Sequence, residues 1–551
     1  MPPPSTFTNP ILWEDLPDPE VIRVGEKYYM SASSFHFSPG APVLESTDLV
    51  HWGYIGHSLP ALPEHDARFS LNTAGKRPAM AYGKGVWAST LKYRESNGLF
   101  YFYSPLQGTD KTCVFTAADP AGPWTERPAI ERFYYDLGLL VDDGDDEMYI
   151  AHGTKTIEVA KLGKDGFSEV TSKVVHASDS YLEGARMYKI KGTYYIWLTK
   201  DWDTQTVLKS TVGPFGPYEE RDVIRGMRTP IAGCGSPHQG ALVDTSDGKW
   251  YYMAFADAYP AGRIPVLAPV VFDEDGWPSV VADYAEGDEK GVWRLEYPVV
   301  GVGAATGGGG GGGEGPAKSA KRFEFTGSQL DHVWEWNHNP DNSKWRLEDG
   351  QLVLEPATVT ESLHLATNTL TLRTTGPGSI ATFCIDTSKM RDGDRAGVSM
   401  FRDESAYIGI HHHKGGSGNA SLVYVDGAKV APVGIPVGWL NGRPAALDWE
   451  CVSDGELRAE VPLKENQVWL RVKVDVRGAF VGKTQTADRK ASFEYSYDGE
   501  GFEQLGPVYT LTQSMAGYIG YRFALFNFAT KALGGEIRVR HCDFETWEPT
   551  G

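Results

Sequence analysis

GEKYYMSAS at residues 25–33, NGLFYFYS at 97–104, DDEMYIAHG at 145–153, KGTYYIWLT at 191–199 and DGKWYYMAF at 247–255 are five versions of one pattern. Each passes from a turn residue through an aromatic or Met to a Tyr (Tyr29, Tyr101, Tyr149, Tyr195, Tyr251) and on into an apolar run. A Gly, Asp or Asn turn leading into such a run reads as the second strand of a β-hairpin. The tyrosines stand 46 to 72 residues apart, with little helical periodicity between them. Repeats of this period, each one sheet, predict an all-β, five-bladed propeller.

Outward from the repeat, residues 301–320 read GVGAATGGGGGGGEGPAKSA. Glycine at that density buries no side chain and loses the most entropy on ordering, so the stretch is expected to be a flexible linker. It separates a propeller domain, 1–300, from a second domain, 321–551. The second domain lacks the repeat. Its short alternating segments, such as QVWLRVKVDV (467–476) and ASFEYSYD (491–498), read as a β-sandwich.

The 551 residues carry 72 acids against 52 bases, a formal net charge of −20. That balance opposes polyanions, so neither nucleic acid nor an anionic membrane is expected as partner. No apolar run approaches the ~18–20 residues of a membrane span. The five cysteines are scattered with no C-x-x-C, which argues against a zinc or redox framework. The start, Met1-Pro2-Pro3-Pro4-Ser5, lacks the basic and apolar stretches of a signal peptide.

In a propeller the first strand of each blade lines the axis, so the residues upstream of each repeat Tyr are the ones to inspect. Eleven to thirteen positions before four of the tyrosines stand Asp18, Asp136, Glu183 and His238; before Tyr101 lies Trp87-Ala88-Ser89. Three carboxyls at equivalent, buried places are costly without partners or a task. With no Ser-His or Cys-His signature, they suggest acid/base hydrolysis of a glycoside. A third acid can hold the general acid's pKa up by like-charge repulsion. The run Asp142-Asp143-Gly144-Asp145-Asp146-Glu147 falls at a hairpin and lacks EF-hand spacing, so it reads as a solvated acidic turn.

Asp18 in DPEV, Asp136 in YYDLGLLVDD, Glu183 in LEGARMYK, His238 in HQGALVD, Arg263 in GRIP and the segment SASSFHFSPGAPVLESTDLVHW (31–52) together resemble glycoside hydrolase family 43. WEWNHNPDNSKWRL (334–347) and MRDGDRAGVSMFRD (390–403) resemble the concanavalin-like sandwich appended to one branch of it. Within the family, AYPAGRIPV and EGARMYK are similar to secreted fungal arabinofuranosidases that remove α-1,3-linked arabinose from doubly substituted arabinoxylan.

The resemblance implies an inverting, exo-acting, extracellular and monomeric enzyme with no organic cofactor, acting on arabinoxylan or its oligosaccharides. It implies Asp18 as general base, Glu183 as general acid and Asp136 as the modulator of Glu183. Arg263 would bind the sugar, and His238 would ligate or orient water around a calcium ion. Trp87 is a candidate sugar platform and Phe35 a candidate pocket wall; each is otherwise a core aromatic. Tyr135 would shape the pocket rim, although strand alternation turns it away from Asp136. Arg186 either pairs with an acid near the site or forms a structural ion pair. Trp87-Ala88-Ser89-Thr90 departs from the family's Trp-Ala-Pro-Asp, which removes one carboxylate from the pocket lining. The alternatives are a β-1,4-xylosidase or bifunctional enzyme with the same machinery, and a non-catalytic carbohydrate-binding propeller.

Overall fold

The computed structural model describes residues 6–71, 80–299, 320–413, 420–433, 448–481, 484–512 and 516–549. The glycine run expected to be a linker lies outside them, apart from Ala320, which opens a strand. Five antiparallel sheets form the propeller. Their innermost strands are Glu20–Val24, Thr90–Arg94, Gly138–Val141, Leu182–Ile190 and His238–Asp244. Each touches the next, and the fifth touches the first, which closes the ring. Every repeat Tyr sits on the second strand of its blade, paired to the innermost one. Aromatic and aliphatic side chains fill the spaces between blades: Ile22, Tyr29, Phe100 and Phe102 between the first two, and Leu140, Tyr149, Met187 and Ile196 between the third and fourth.

The ends of the propeller are tied by a ribbon in which Thr6–Thr8 pairs with Glu296–Pro298. Asn9 locks it, giving its amide to the Leu267 carbonyl at 3.0 Å and accepting from the Leu267 N–H at 2.8 Å. The acidic run is only partly solvated. Asp142 is buried, held by Lys189 Nζ at 2.5 Å and by the Tyr194 hydroxyl at 2.6 Å.

The second region is a sandwich of a nine-stranded and an eight-stranded antiparallel sheet. Gln467–Asp475 alternates buried and half-buried positions along its length, as a strand with one face on the core does. The edge of the eight-stranded sheet is completed by the propeller. Phe37 and Ser38 pair with Asn337 and Trp336, so blade 1 and the sandwich share a sheet. Asp15 adds a second tie, accepting from the N–H groups of Arg263 and of Gly520, both at 2.8 Å. Gly520 lies so close that a Cβ there would meet the Ala261 carbonyl oxygen at 1.9 Å. These ties hold one end of the sandwich against the residues around the propeller mouth.

Candidate active site

Asp18 and Asp136 each stand two residues before an innermost strand, and Glu183 is the second residue of one. Their backbones are unusual. Asp18 has φ 55°, Asp136 φ 48° and, in the fifth blade, Gln239 φ 39°. Left-handed conformations at non-glycine residues cost on the order of 1–3 kcal/mol each and collect where function over-determines them. At Glu183 the same turning is done by Gly184, φ 67°, within a register shift between Glu183 and Arg186. Such a bulge re-aims the side chain beside it.

Asp18 is held by two donors: Ser33 Oγ to Oδ2 at 2.6 Å and Arg263 Nη1 to Oδ1 at 3.2 Å. Asp136 Oδ2 accepts from Gln239 Nε2 at 3.0 Å and from the Gly184 N–H at 3.2 Å. Burial holds its carboxyl well above the usual range; the charges of Glu183 and Asp18 add to this, while Arg186 and the Gly184 N–H oppose it. Glu183 Oε2 accepts from the Tyr135 hydroxyl at 3.4 Å, which lies 3.1 Å from the Tyr181 hydroxyl. Burial pushes Glu183 up to about 7; the Tyr181 hydroxyl pulls it down, the charge of Asp18 pushes it up, and Arg263 and Tyr135 pull down. A carboxyl that keeps its proton near neutrality thus shares a site with a carboxylate fixed by an arginine. Two acids with environments this unlike can divide general acid and general base between them.

The other expected residues divide. Arg263 lies at the site, its guanidinium 3.2 Å from Asp18 and over the rings of Phe255 (4.8 Å) and Tyr518 (5.2 Å). Tyr135 does face Glu183, contrary to the alternation argument. Asp136 is left-handed and the strand starts only at Gly138, so the period of two does not yet apply there. Trp87 is half-buried, its Nε1 donating to the Gly83 carbonyl, its ring 6.2 Å from Phe35 and 5.8 Å from Tyr518. Phe35 is buried in a small cluster with Phe37 and Ile519, so it backs the wall that Trp87 forms.

Arg186 is not a substrate contact. It is 1% exposed and is spent beneath the site: on Glu20 at 2.9 Å and on the carbonyls of Ser89, Leu137 and Asp18 at 2.6, 3.0 and 3.1 Å. It ties the entries of three inner strands together. Sequence reasoning missed Ser33, Gln239, Tyr181 and Tyr518. Gln239 adjoins His238 and Tyr181 lies two residues before Glu183, so both stood beside residues already singled out. Tyr518 comes from the sandwich, and no pattern in the chain connects it to Arg263.

The family model for glycosyl hydrolases family 43 matches residues 7–278, and that for the beta xylosidase C-terminal concanavalin A-like domain matches 322–436 and 449–548. A putative beta-xylosidase of Xylanibacter ruminicola is 33% identical over 393 residues, 68% of each chain. The chain belongs to glycoside hydrolase family 43. This family-43 protein is also similar to a non-reducing end alpha-L-arabinofuranosidase of Bacteroides ovatus, 32% identical over 50% of this chain and 54% of that one. Among solved structures it resembles a family-43 glycoside hydrolase whose engineered active site displays both endo-xylanase and exo-arabinofuranosidase activity. That likeness has 43% identity and a TM-score of 0.86, covering 98% of this chain and 99% of the other.

His238 was expected to serve a calcium ion. Its Nδ1 lies 2.8 Å from the Ser236 carbonyl oxygen, and its Nε2 lies 3.9 Å from Asp257 Oδ2. Among the described residues no group of three or more His, Cys, Asp or Glu side chains is placed to hold a metal. Calcium takes roughly six to eight oxygen ligands, so among the described residues His238 and Asp257 would supply only a small part of such a shell, the rest falling to water.

Proposed function

We propose that this family-43 glycoside hydrolase is an inverting, exo-acting enzyme that removes α-1,3-linked L-arabinofuranose from doubly substituted xylose in arabinoxylan. The observation that supports the choice of sugar is the 43% identity, along nearly the whole of both chains, to the solved family-43 enzyme that, with its active site engineered, displays both endo-xylanase and exo-arabinofuranosidase activity. The acid/base reading rests on the unlike environments of Asp18 and Glu183.

In this reading the Asp18 carboxylate, held by Ser33 and Arg263, takes a proton from water as that water attacks the anomeric carbon. Glu183 gives its proton to the departing glycosidic oxygen. Asp136, through the Gly184 N–H, keeps the bulge that aims Glu183. Of the charges acting on Glu183, that of Asp18 raises its pKa and that of Arg263 lowers it, while Asp136 acts by holding the Gly184 turn. Direct displacement by water inverts the anomeric centre and calls for carboxyls roughly 6.5–9.5 Å apart. A polysaccharide substrate puts this work outside the cell. Among the described residues no helix is long and apolar enough to cross a membrane.

A β-1,4-xylosidase, alone or with arabinofuranosidase activity, is the second reading. A beta-xylosidase of Formosa agariphila, 27% identical over 99% of this chain and 91% of its own, favours it. A proton NMR time course on arabinoxylan and on β-1,4-xylo-oligosaccharides separates the two. The expected first product is β-arabinofuranose from doubly substituted xylose. Xylose released from the oligosaccharides without arabinose would establish the second reading, and a first product of retained configuration would overturn the mechanism.

A further inference from the structure

Trp202 is 62% exposed at the tip of the hairpin between Thr193–Lys200 and Thr204–Ser210. Lys200 pairs with Thr204, leaving three residues to turn the chain. Asp201 has φ 48° and Trp202 φ 68°. Successive left-handed residues suit Asn, Asp and Gly in a hairpin turn. Asp201 conforms to that chemistry and Trp202 does not. A tryptophan there bears the steric cost of the left-handed conformation and keeps most of its apolar surface in water. Neither turn chemistry nor core packing accounts for the residue.

The turn is fastened to the catalytic funnel. Asp201 N–H donates to the Tyr181 carbonyl at 3.0 Å, and Tyr181 N–H donates to Asp201 Oδ1 at 3.2 Å. The Trp202 ring lies 6.2 Å from the Tyr181 ring, tilted by 44°. Tyr181 in turn places its hydroxyl against Glu183 and Tyr135. Glu183, Tyr181 and Trp202 therefore form a path from the buried acid out to the surface.

The chemistry orients that path. A general acid protonates the oxygen that stays with the leaving group, so the surface leading outward from Glu183 faces the leaving sugar. The indole is the one large apolar face on that path that solvent reaches freely. The C–H face of a pyranose ring complements it, and an aromatic held by a rigid turn gives up little entropy when a ring stacks on it.

We propose that Trp202 is a sugar-stacking platform on the leaving-group side of the active site, taking a xylosyl ring of the polysaccharide chain. This rests on the acid role of Glu183 and the xylan-type substrate proposed above. The test uses the full-length protein made inactive by Glu183→Gln, with calorimetric titration of arabinoxylan, xylo-oligosaccharides, arabinose and xylose.

Adding Trp202→Ala is expected to weaken oligosaccharide and polymer binding about five- to tenfold, the size of one aromatic contact. Monosaccharide binding stays unchanged, and Trp202→Phe restores part of the loss. Trp202→Gly is expected to raise the melting temperature while weakening the polymer equally, since glycine relieves the left-handed strain. Equal polymer affinity with and without Trp202 would overturn the platform alone. Failure of the Glu183→Gln protein to bind any xylan-type chain would overturn the substrate reading and the platform with it.

Discussion

Two of the buried glutamates, Glu335 and Glu183, end at opposite extremes. Glu335, on the sandwich strand Trp334–Asn337, faces Arg522 Nη1 at 2.6 Å, Arg373 Nη1 at 3.0 Å and His57 Nε2 at 3.1 Å. Burial alone would raise its pKa, but the two guanidiniums overcome that and hold the carboxyl far below its usual range. Glu183 has phenols and a more distant Arg263 for company, so burial wins and its proton stays on to about 7. Desolvation acts in the same direction on both. The partners decide whether a buried acid is a fixed negative anchor between domains or a proton donor. Partner geometry, not burial, is therefore what marks the reactive one.

The contrast is sharpened first at the donor. Glu183→Ala is expected to lower the rate on polysaccharide by about 10²–10⁴-fold, while an aryl glycoside with a very good leaving group, which needs no proton, loses far less. Steady-state rates on the two substrates check this; equal losses would remove the donor role.

At the anchor, Glu335→Gln leaves Arg373 and Arg522 buried without their counter-charge. A loss of about 3–5 kcal/mol in unfolding free energy is expected, measured by chemical denaturation. The pH dependence of the folded enzyme should stay where it was. A variant with unchanged stability and a shifted pH profile would reverse the comparison.

In the unaltered protein, the raised value of Glu183 predicts that kcat/KM falls on the alkaline side with an apparent pKa near 7. The same shift bears on stability. The folded carboxyl binds its proton more tightly than an ordinary one titrating at 4.5, so its stabilising contribution is full below that pH and is lost as pH rises through about 7.

The smallest effect belongs to Tyr181→Phe. The hydroxyl that pulls Glu183 down is removed, so the alkaline limb should move upward, by less than about one unit for a single neutral hydrogen bond. A downward move would show that the phenol stabilises the protonated form instead.

Much of this was legible in the chain. The five Tyr-bearing hairpins announced the blades because a strand's pattern is local, written within a few residues of each turn. Counting back from each Tyr found Asp18, Asp136 and Glu183, because every blade repeats the same path from axis to rim. Strand alternation failed for Tyr135. It assumed a strand where Asp136, at φ 48°, bends the backbone before the strand begins. For Arg186 the chain left a partner at the site and a structural ion pair both open, and the structure supplies the ion pair, with Glu20 beneath the site.

What the sequence determined by itself is the set of elements and the blade entries that hold acids, since hydrogen-bonded hairpins and their turns depend on near neighbours. What only the tertiary structure decided is which acid keeps its proton. That depends on Ser33, Tyr181, Gln239 and Arg263 arriving from three different blades, and on Tyr518 arriving from the sandwich. A carboxyl's charge state is a sum over whatever lies within a few ångströms of it, and in a closed ring those neighbours come from chain segments hundreds of residues apart.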